Sequence, residues 1–532
     1  MSDIKEKMTD QGNGSTRIRH FDRRRAKYHG LIRAATVLTV LFLQVAFIAA
    51  LAYWLQTDGL KIYFVVELLS IAIVFGLVNS EAYNQTFWIV ILLVLPGFGF
   101  ILYFFWGSFR KDFVVNSGLR KREAEALKRL PDNKEQLEEL AQVHPNKIQI
   151  SNYLSKEGFP VYRNTVQKYY PIGGEELAND FVDDLKKAKH SILMEFFIVY
   201  DGKWWREIED VLVSKAAEGV DVRVLIDDFG SIFMDTVSMK KEMRRCGIKL
   251  ESFKPINKRI SSINFNYRNH QKIMVVDGTV GYTGGCNLAD EYVNRIKRFG
   301  GSEWKDSMVR LEGEAVWTLT NIFLMMWEDS TGKEVEDPSV YKPRWKVEDQ
   351  GFVQPFSGGP HKAPFNPVEG AYTRMISKAR DYIYITTPYL VLDERLTGYL
   401  IDAAMSGVDV RILTPRIYDK WYVYMVTVSN YGKLLRNGVR IFEYIPGFIH
   451  EKDVVADDEC AICGTINLDF RSMHTHHENG VFFSRTPIVD EIRDNILKSF
   501  SKSEEVTYEE WKKRPTAEKI MQWFFKLTSP LL

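Results

Sequence analysis

Two histidines, two lysines and two aspartates occur at the same spacing twice in this chain: His270-x-Lys272-x4-Asp277 and His450-x-Lys452-x4-Asp457. Each member of the second set lies 180 residues after its counterpart. A single copy of such a pattern carries a real risk of coincidence; a second copy at identical spacing removes it. Seven residues after each aspartate comes a turn of small residues ending in an asparagine, Gly284-Gly285-Cys286-Asn287 and Gly464-Thr465-Ile466-Asn467. The chain therefore carries a duplicated half-site.

Two imidazoles directed at one phosphate suit phosphodiester exchange at neutral pH. A neutral imidazole attacks phosphorus to give a covalent phospho-histidine, and a protonated one gives its proton to the departing alkoxide. An unperturbed pKa near 6.5 fits histidine to both tasks. Lys272 and Lys452 stand two residues from His270 and His450, so on an extended strand each projects to the same face as its histidine. Their ammonium groups would stabilise charge growing on the phosphoryl oxygens, and the amides of Asn287 and Asn467 would bind the substrate phosphate. Asp306 and Glu478 are candidates to orient the histidines, while Asp277 and Asp457 complete the catalytic set by bracing the strand or the neighbouring lysine.

No metal or other cofactor is expected. His474, His476 and His477 cluster beside Glu478 and could imitate a metal site, yet they adjoin a motif already explained and read as a polar pocket rim. Cys460-x-x-Cys463 lacks a second ligand pair at zinc spacing. These two read as buried strand cysteines.

The elements that must position these groups also come in duplicate. Ser191 to Ile198 reads as a buried strand, and Tyr382 to Thr387 takes its place in the second half. Each leads through a helical stretch to the same five residues, Gly-Val-Asp-Val-Arg, at 219–223 and 407–411. A second helix ends at Gly247 in one half and Gly438 in the other, where glycine suits a helix C-terminus. Strand, helix, strand, helix, strand and catalytic strand, twice over, predict an α/β fold of two repeats packed about a pseudo-twofold axis, with His270 and His450 converging at the interface.

At 532 residues the chain exceeds one core, so at least two domains are expected. The balance of 70 Lys plus Arg against 69 Asp plus Glu argues against nucleic acid as a bulk electrostatic partner. Three apolar stretches crowd the first fifth of the chain. Residues 34–55 are uncharged and long enough to span a bilayer; 62–78 contains Glu67, and 87–106 contains Pro96-Gly97-Phe98-Gly99, so the latter two suit a hairpin or re-entrant pair. Basic residues flank the set on both sides, Arg17 to Lys27 before it and Arg110 to Arg122 after it, so three full crossings conflict with the positive-inside rule. The expected arrangement is a multi-pass protein of the cell membrane with a cytoplasmic catalytic portion. The parts are a basic tail (1–33), membrane-anchoring segments (34–107), a charged helical connector (108–147), two catalytic halves (148–345 and 346–510) and an amphipathic C-terminal segment (511–532). On that last segment, core packing and interfacial membrane contact remain equal alternatives.

The paired motifs, with Tyr267 to Asp277, Gly284 to Glu291, Thr387-Pro388-Tyr389 and Asn467 to Ser472 around them, resemble the phospholipase D superfamily. With an apolar N-terminal module ending Leu95 to Gly107, the chain is similar to the bacterial cardiolipin synthases within it. The resemblance implies two phospholipase D-like α/β/α sandwich repeats behind a transmembrane helical module. It further implies a phosphatidyltransferase of phospholipid biosynthesis that joins two phosphatidylglycerol molecules into cardiolipin, releasing glycerol through a phosphatidyl-histidine. His270 would be the nucleophile and His450 the general acid, an assignment that local charge favours: Arg268 flanks the first, while Glu451, Asp453 and Asp457 surround the second. A hydrolase of the same superfamily, using water as acceptor, is the alternative, and a membrane scaffold without activity is disfavoured by two intact half-sites. Thr465 stands where serine is commoner in the family. The bilayer and phosphatidylglycerol are the expected partners; oligomeric state is left open.

Overall fold

In the computed structural model, residues 53, 60–78, 85–94, 98–100, 103, 112–255, 267–298, 302–349, 351–362 and 365–526 are described. The stretch 34–55, expected to span a bilayer, therefore falls outside the described residues apart from Tyr53.

The first half builds a seven-stranded mixed sheet. Its strands are β1 (Thr165–Tyr170), β2 (Ser191–Phe196), β3 (Asp221–Asp227), β4 (Lys249–Phe253), β5 (Ile273–Val276), β6 (Val280–Gly284) and β8 (Met308–Gly313), in the order β1-β8-β6-β5-β2-β3-β4. The second half repeats it with β9 (Phe352–Gly358), β10 (Tyr382–Thr386), β11 (Asp409–Pro415), β12 (Arg440–Tyr444), β14 (Asp453–Ala456), β15 (Cys460–Gly464) and β16 (Glu478–Ser484), and adds β17 (Ser503–Val506) at the edge beside β12. Register repeats as well as order. Ser191 pairs with Asp221 and Ile192 with Val276 in one sheet; Tyr382 pairs with Asp409 and Ile383 with Ala456 in the other. The parallel pairs β2-β3 and β10-β11 are each crossed over by one helix, Lys203–Ala217 and Glu394–Met405.

Alternation along the strands sorts side chains into layers. Leu193, Val275, Leu413 and Val455 face a core shared by the two sheets, which the helices Val316–Thr331 and Ile488–Phe500 fill. Ile192, Met194, Met274 and Val276 face the opposite way, under the helices Gly174–Lys187, Lys203–Ala217 and Thr236–Arg245. Gly247 and Gly438 hold φ of +82° and +90° after their helices, the left-handed conformation that turns the chain into the next strand at no Cβ cost.

The two halves are also stitched backbone to backbone. A short parallel pair joins β7 (Glu303–Lys305) of the first half to β13 (Gly447–Ile449) of the second. The matching place on the other side of the pseudo-twofold axis holds a bridge between Asn269 and His477.

The charged stretch expected as a connector folds into the helices Asp112–Lys128 and Lys134–Val143 and packs on both halves. Arg129 pairs with Glu328 of the first at 3.0 Å, and Lys147 with Asp457 of the second. Toward the N-terminus, the helices Leu60–Val78 and Gln85–Val94 pack together, with Ile73 and Val74 beside Trp88 and Leu92, and Trp88 meets Tyr103 edge to face at 5.3 Å. Among the described residues no helix is long and apolar enough to cross a membrane. Helix Leu60–Val78 has 19 residues including Lys61 and Glu67. At 1.5 Å per residue it reaches about 28 Å, short of a hydrocarbon core of about 30 Å.

Candidate active site

His270 and Lys272 stand just ahead of β5, and His450 and Lys452 just ahead of β14. Each histidine's backbone N–H donates across the interface, His270 to the carbonyl of His477 at 3.0 Å and His450 to that of Lys305 at 2.7 Å. The next residue after each acceptor is a carboxylate, and it reaches the incoming imidazole. Nδ1 of His270 lies 2.9 and 3.0 Å from the two oxygens of Glu478, and Nδ1 of His450 lies 2.6 Å from Oδ2 of Asp306. Both expected orienting carboxylates thus meet histidines, but each serves the histidine of the other half. Sequence could not show this exchange, because it is made by the strand pairs between halves.

The two carboxylates are held differently. Glu478 accepts hydrogen bonds from the hydroxyls of Ser472, at 2.7 Å, and Thr465. Asp306 accepts the Ser307 backbone N–H at 2.9 Å and is pressed on Gly285, where an added Cβ would sit 1.9 Å from Oδ1. Gly285 and Thr465 occupy the same place in the repeat. Threonine supplies a donor to one carboxylate, and glycine makes room for the other. Burial pushes the Asp306 carboxyl up to about 6 against the pull of Lys452.

Five of the six motif residues are buried and Asp457 is half-buried, and the two histidines and two lysines are close enough to set one another's charge. Burial, then the charges of Lys272, Lys452 and His450, hold His270 well below the usual histidine range; burial followed by Lys452 and Lys272 does the same to His450. Burial also brings Lys272 down to about 7 and lowers Lys452. Lys272 Nζ donates to the carbonyl of His270 at 2.6 Å, and Lys452 Nζ reaches Nδ1 of His450 at 2.8 Å as well as its carbonyl. Burial and the two lysines thus favour the neutral form of both imidazoles.

The local-charge argument for the histidine roles does not survive. His450 is not surrounded by carboxylates. Glu451 points away to Lys305, at 2.8 Å, Asn495 and Tyr169; Asp453 accepts from Tyr169 at 2.6 Å and Ser307 at 3.0 Å. Alternation along the strand carries both away from the imidazole. Arg268 likewise faces away, paired with Asp227 at 2.7 Å.

Asp277 and Asp457 lie at the far ends of β5 and β14. In the left-handed conformation, φ +50° and +56°, Asp277 accepts the backbone N–H groups of Lys189, His190 and Ser191, and Asp457 those of Arg380, Asp381 and Tyr382. Neither touches a histidine or lysine of the motif; each ties its catalytic strand to the start of the neighbouring central strand. Asn287 accepts from Ile198 N–H at 3.0 Å and donates to the Tyr292 hydroxyl at 2.9 Å, so its amide braces its own loop. Asn467 is buried, and its backbone N–H donates to Ser472 at 3.2 Å.

Aromatic side chains, which the sequence did not point to, flank both histidines. Phe197 packs edge to face on His270 at 5.0 Å, and Tyr292, Trp304 and Phe448 lie 5.6, 5.4 and 5.8 Å from His450. Of the three clustered histidines only His476 joins the pocket, 5.5 Å from His270; His474 pairs with Asp393 and His477 stacks on His361. They form no single rim, because they straddle the turn between a helix and β16. His270, His476 and Glu478 make the one potential metal group among the described residues, with ligand atoms within 4.8 Å of one another. Lys272 and Lys452 oppose a cation there. Cys460 and Cys463 are buried in β15 on opposite faces, beside Met375 and Ser307.

A family model described as cardiolipin synthase, PLD-like domain matches residues 181–327 and 372–500, and a phospholipase D-nuclease N-terminal model matches 68–108. A cardiolipin synthase of Geobacillus sp. (strain WCH70) is 34% identical over 89% of this chain and 94% of its own length. This chain belongs to the cardiolipin synthase family. A second cardiolipin synthase, from Halalkalibacterium halodurans, is 31% identical over 94% of this chain and 99% of its own. The crystal structure of phosphatidylserine synthase from Haemophilus influenzae Rd KW20 overlays with a TM-score of 0.56 at 14% identity, over 73% of this chain and 99% of that one, a likeness of fold. The duplicated motif is thus set in the phospholipase D fold the sequence suggested.

Proposed function

We propose that this chain joins two phosphatidylglycerol molecules into cardiolipin and glycerol by two successive displacements at phosphorus. The observation that carries the reading is the pair of crossed histidine–carboxylate contacts. With Nδ1–H of each imidazole directed at its carboxylate, both Nε2 atoms are left for chemistry. Lys272 and Lys452 draw in the phosphodiester anion. Nε2 of His270 attacks phosphorus, the bond to the glycerol oxygen breaks, and that oxygen takes the proton from Nε2 of His450. The hydroxyl of a second phosphatidylglycerol then attacks phosphorus, giving its proton back to His450 and releasing His270.

The two carboxylates support this division of roles where local charge does not. Glu478 already accepts from two hydroxyl donors, whereas Asp306 accepts a single backbone N–H and, with its carboxyl pushed up by burial, gains most from a cationic His450 beside it. Burial and, after it, the charges of Lys452 and Lys272 lower the His450 pKa, and a bound anion offsets the lysine part. Aromatic walls around both imidazoles keep water from the phosphatidyl-enzyme and favour a lipid hydroxyl as acceptor. A membrane setting, with the catalytic portion on the cytoplasmic side, is supported by the apolar stretches and the basic tail ahead of them.

Full-length protein incubated with labelled phosphatidylglycerol should yield cardiolipin and glycerol. Phosphatidic acid and glycerol would instead mark a hydrolase. After acid quench and digestion at a pH where phospho-histidine survives, label is expected on the His270 peptide; label on the His450 peptide would reverse the roles and leave the two-histidine chemistry standing.

A further inference from the structure

The C-terminal helix Thr516–Lys526 presents an apolar face to the outside. Ile520, Trp523 and Phe524 are 62%, 67% and 57% exposed, and Met521 and Trp421 lie exposed beside them. At 100° per residue the exposed apolar residues of this helix cover an arc of roughly 160°. The opposite side holds the helix down. Gln522 is buried and accepts from Arg514 at 2.5 Å, and Phe525 packs edge to face on Trp421 at 5.1 Å. Core packing therefore accounts for Gln522 and Phe525 but not for Ile520, Trp523 and Phe524.

Charge and position say what covers this face. Lys519 and Lys526 border the apolar arc on one edge, and Lys512 and Lys513 stand exposed just before the helix. Rings outward with lysines at their edge suit the headgroup boundary of an anionic bilayer. The helix also adjoins the catalytic pocket. Trp421, on which Phe525 packs, follows Asp419 and Lys420; these two bond the Tyr389 hydroxyl at 2.6 and 3.0 Å, and their charges reach His450.

We infer that the helix Thr516–Lys526, through Ile520, Trp523 and Phe524, docks the catalytic body on an anionic phospholipid surface and sets the rim at Asp419–Lys420 against the lipid that supplies the substrate. This rests on the reading that the chain acts on phosphatidylglycerol. The face is a second attachment, separate from the apolar N-terminal segments, and it orients the pocket.

The test uses the full chain reconstituted in nanodiscs. A dye is placed at Trp523→Cys or, as reference, at Val237→Cys, which is exposed on the first half, in a Cys246→Ser background whose other cysteines are buried. Brominated phosphatidylglycerol should quench the dye at 523 well above the dye at 237, and about fivefold more than brominated phosphatidylcholine does, the order expected from one interfacial lysine. Equal quenching at the two positions, no quenching, or no preference for the anionic lipid overturns the inference. Energy transfer between labelled copies at 523 overturns it in favour of a second copy as occupant. In parallel, Trp523→Ser with Phe524→Ser, which removes interfacial apolar burial, should raise the apparent KM for phosphatidylglycerol in bilayers about fivefold or more at unchanged kcat, with short-chain monomeric substrate turned over as by the parent. A loss on both substrates alike overturns it. If the dye is quenched as expected while no cardiolipin forms, docking stands and the catalytic reading falls; cardiolipin formation without quenching has the opposite meaning.

Discussion

Asp306 lies 2.6 Å from Nδ1 of His450, although 144 residues of chain separate them and they belong to different halves. The imidazole of His450 and its carboxylate partner are thus joined only when the halves dock. On the proposed reaction the working unit is the docked pair, since each half supplies the carboxylate for the other's histidine.

Neutralising these carboxylates without changing their shape should therefore act across the interface. Asp306→Asn and Glu478→Gln are each expected to lower kcat on the order of 10²-fold or more, since general acid–base groups contribute on that order. Binding of phosphatidylglycerol should change little. Near-parent turnover by both variants would show that the contacts are not used.

Removal of either imidazole should be more severe. His270→Ala and His450→Ala are expected to abolish synthesis, and only the variant retaining the nucleophile should still take up label from phosphatidylglycerol in a single-turnover experiment. Label on both variants, or comparable activity in either, would rule out a division of roles.

Lys272 sets a basic limb. Its ammonium, held down to about 7 by burial, is present below that pH and lost above it, so kcat/KM should fall as pH rises through about 7. A bound phosphodiester anion stabilises the ammonium, which moves the same limb upward in kcat. The residual activity of Lys272→Arg should lack the limb, because a guanidinium stays charged. The comparison is made by pH profiles of both parameters for parent and variant.

Asp277 separates bracing from chemistry. Asp277→Ala leaves three backbone N–H groups without their acceptor and should destabilise the first half by roughly 1–3 kcal/mol. Asp277→Asn keeps an acceptor, tolerates the left-handed backbone and should retain activity within a few-fold of the parent. Thermal unfolding and turnover, measured together, check both statements. A folded but inactive Asn variant would restore a chemical role.

On the proposed reaction, in which Lys272 and Lys452 supply the positive charge at phosphorus, chelation should leave turnover intact. Loss of activity on chelation, restored by a single divalent ion, would direct attention to His270, His476 and Glu478.

Much of this protein is written in its sequence because its signals are local and repeated. The 180-residue repeat marks the duplicated site, the Gly-Val-Asp-Val-Arg pentads mark matching strands, and Gly247 and Gly438 mark helix ends whose backbone conformation only glycine adopts cheaply. What chain order cannot encode is which groups meet across the interface. The exchange of Asp306 and Glu478 between halves, the aromatic walls of Phe197 and Trp304, and the redirection of Asp453 toward Tyr169 all depend on long-range docking. The same is true of charge: residue types suggest a protonated His450, but burial and two neighbouring lysines lower its pKa. Spacing fixes the chemistry available, whereas desolvation and cross-half contacts, both properties of the packed interior, decide how each group is used.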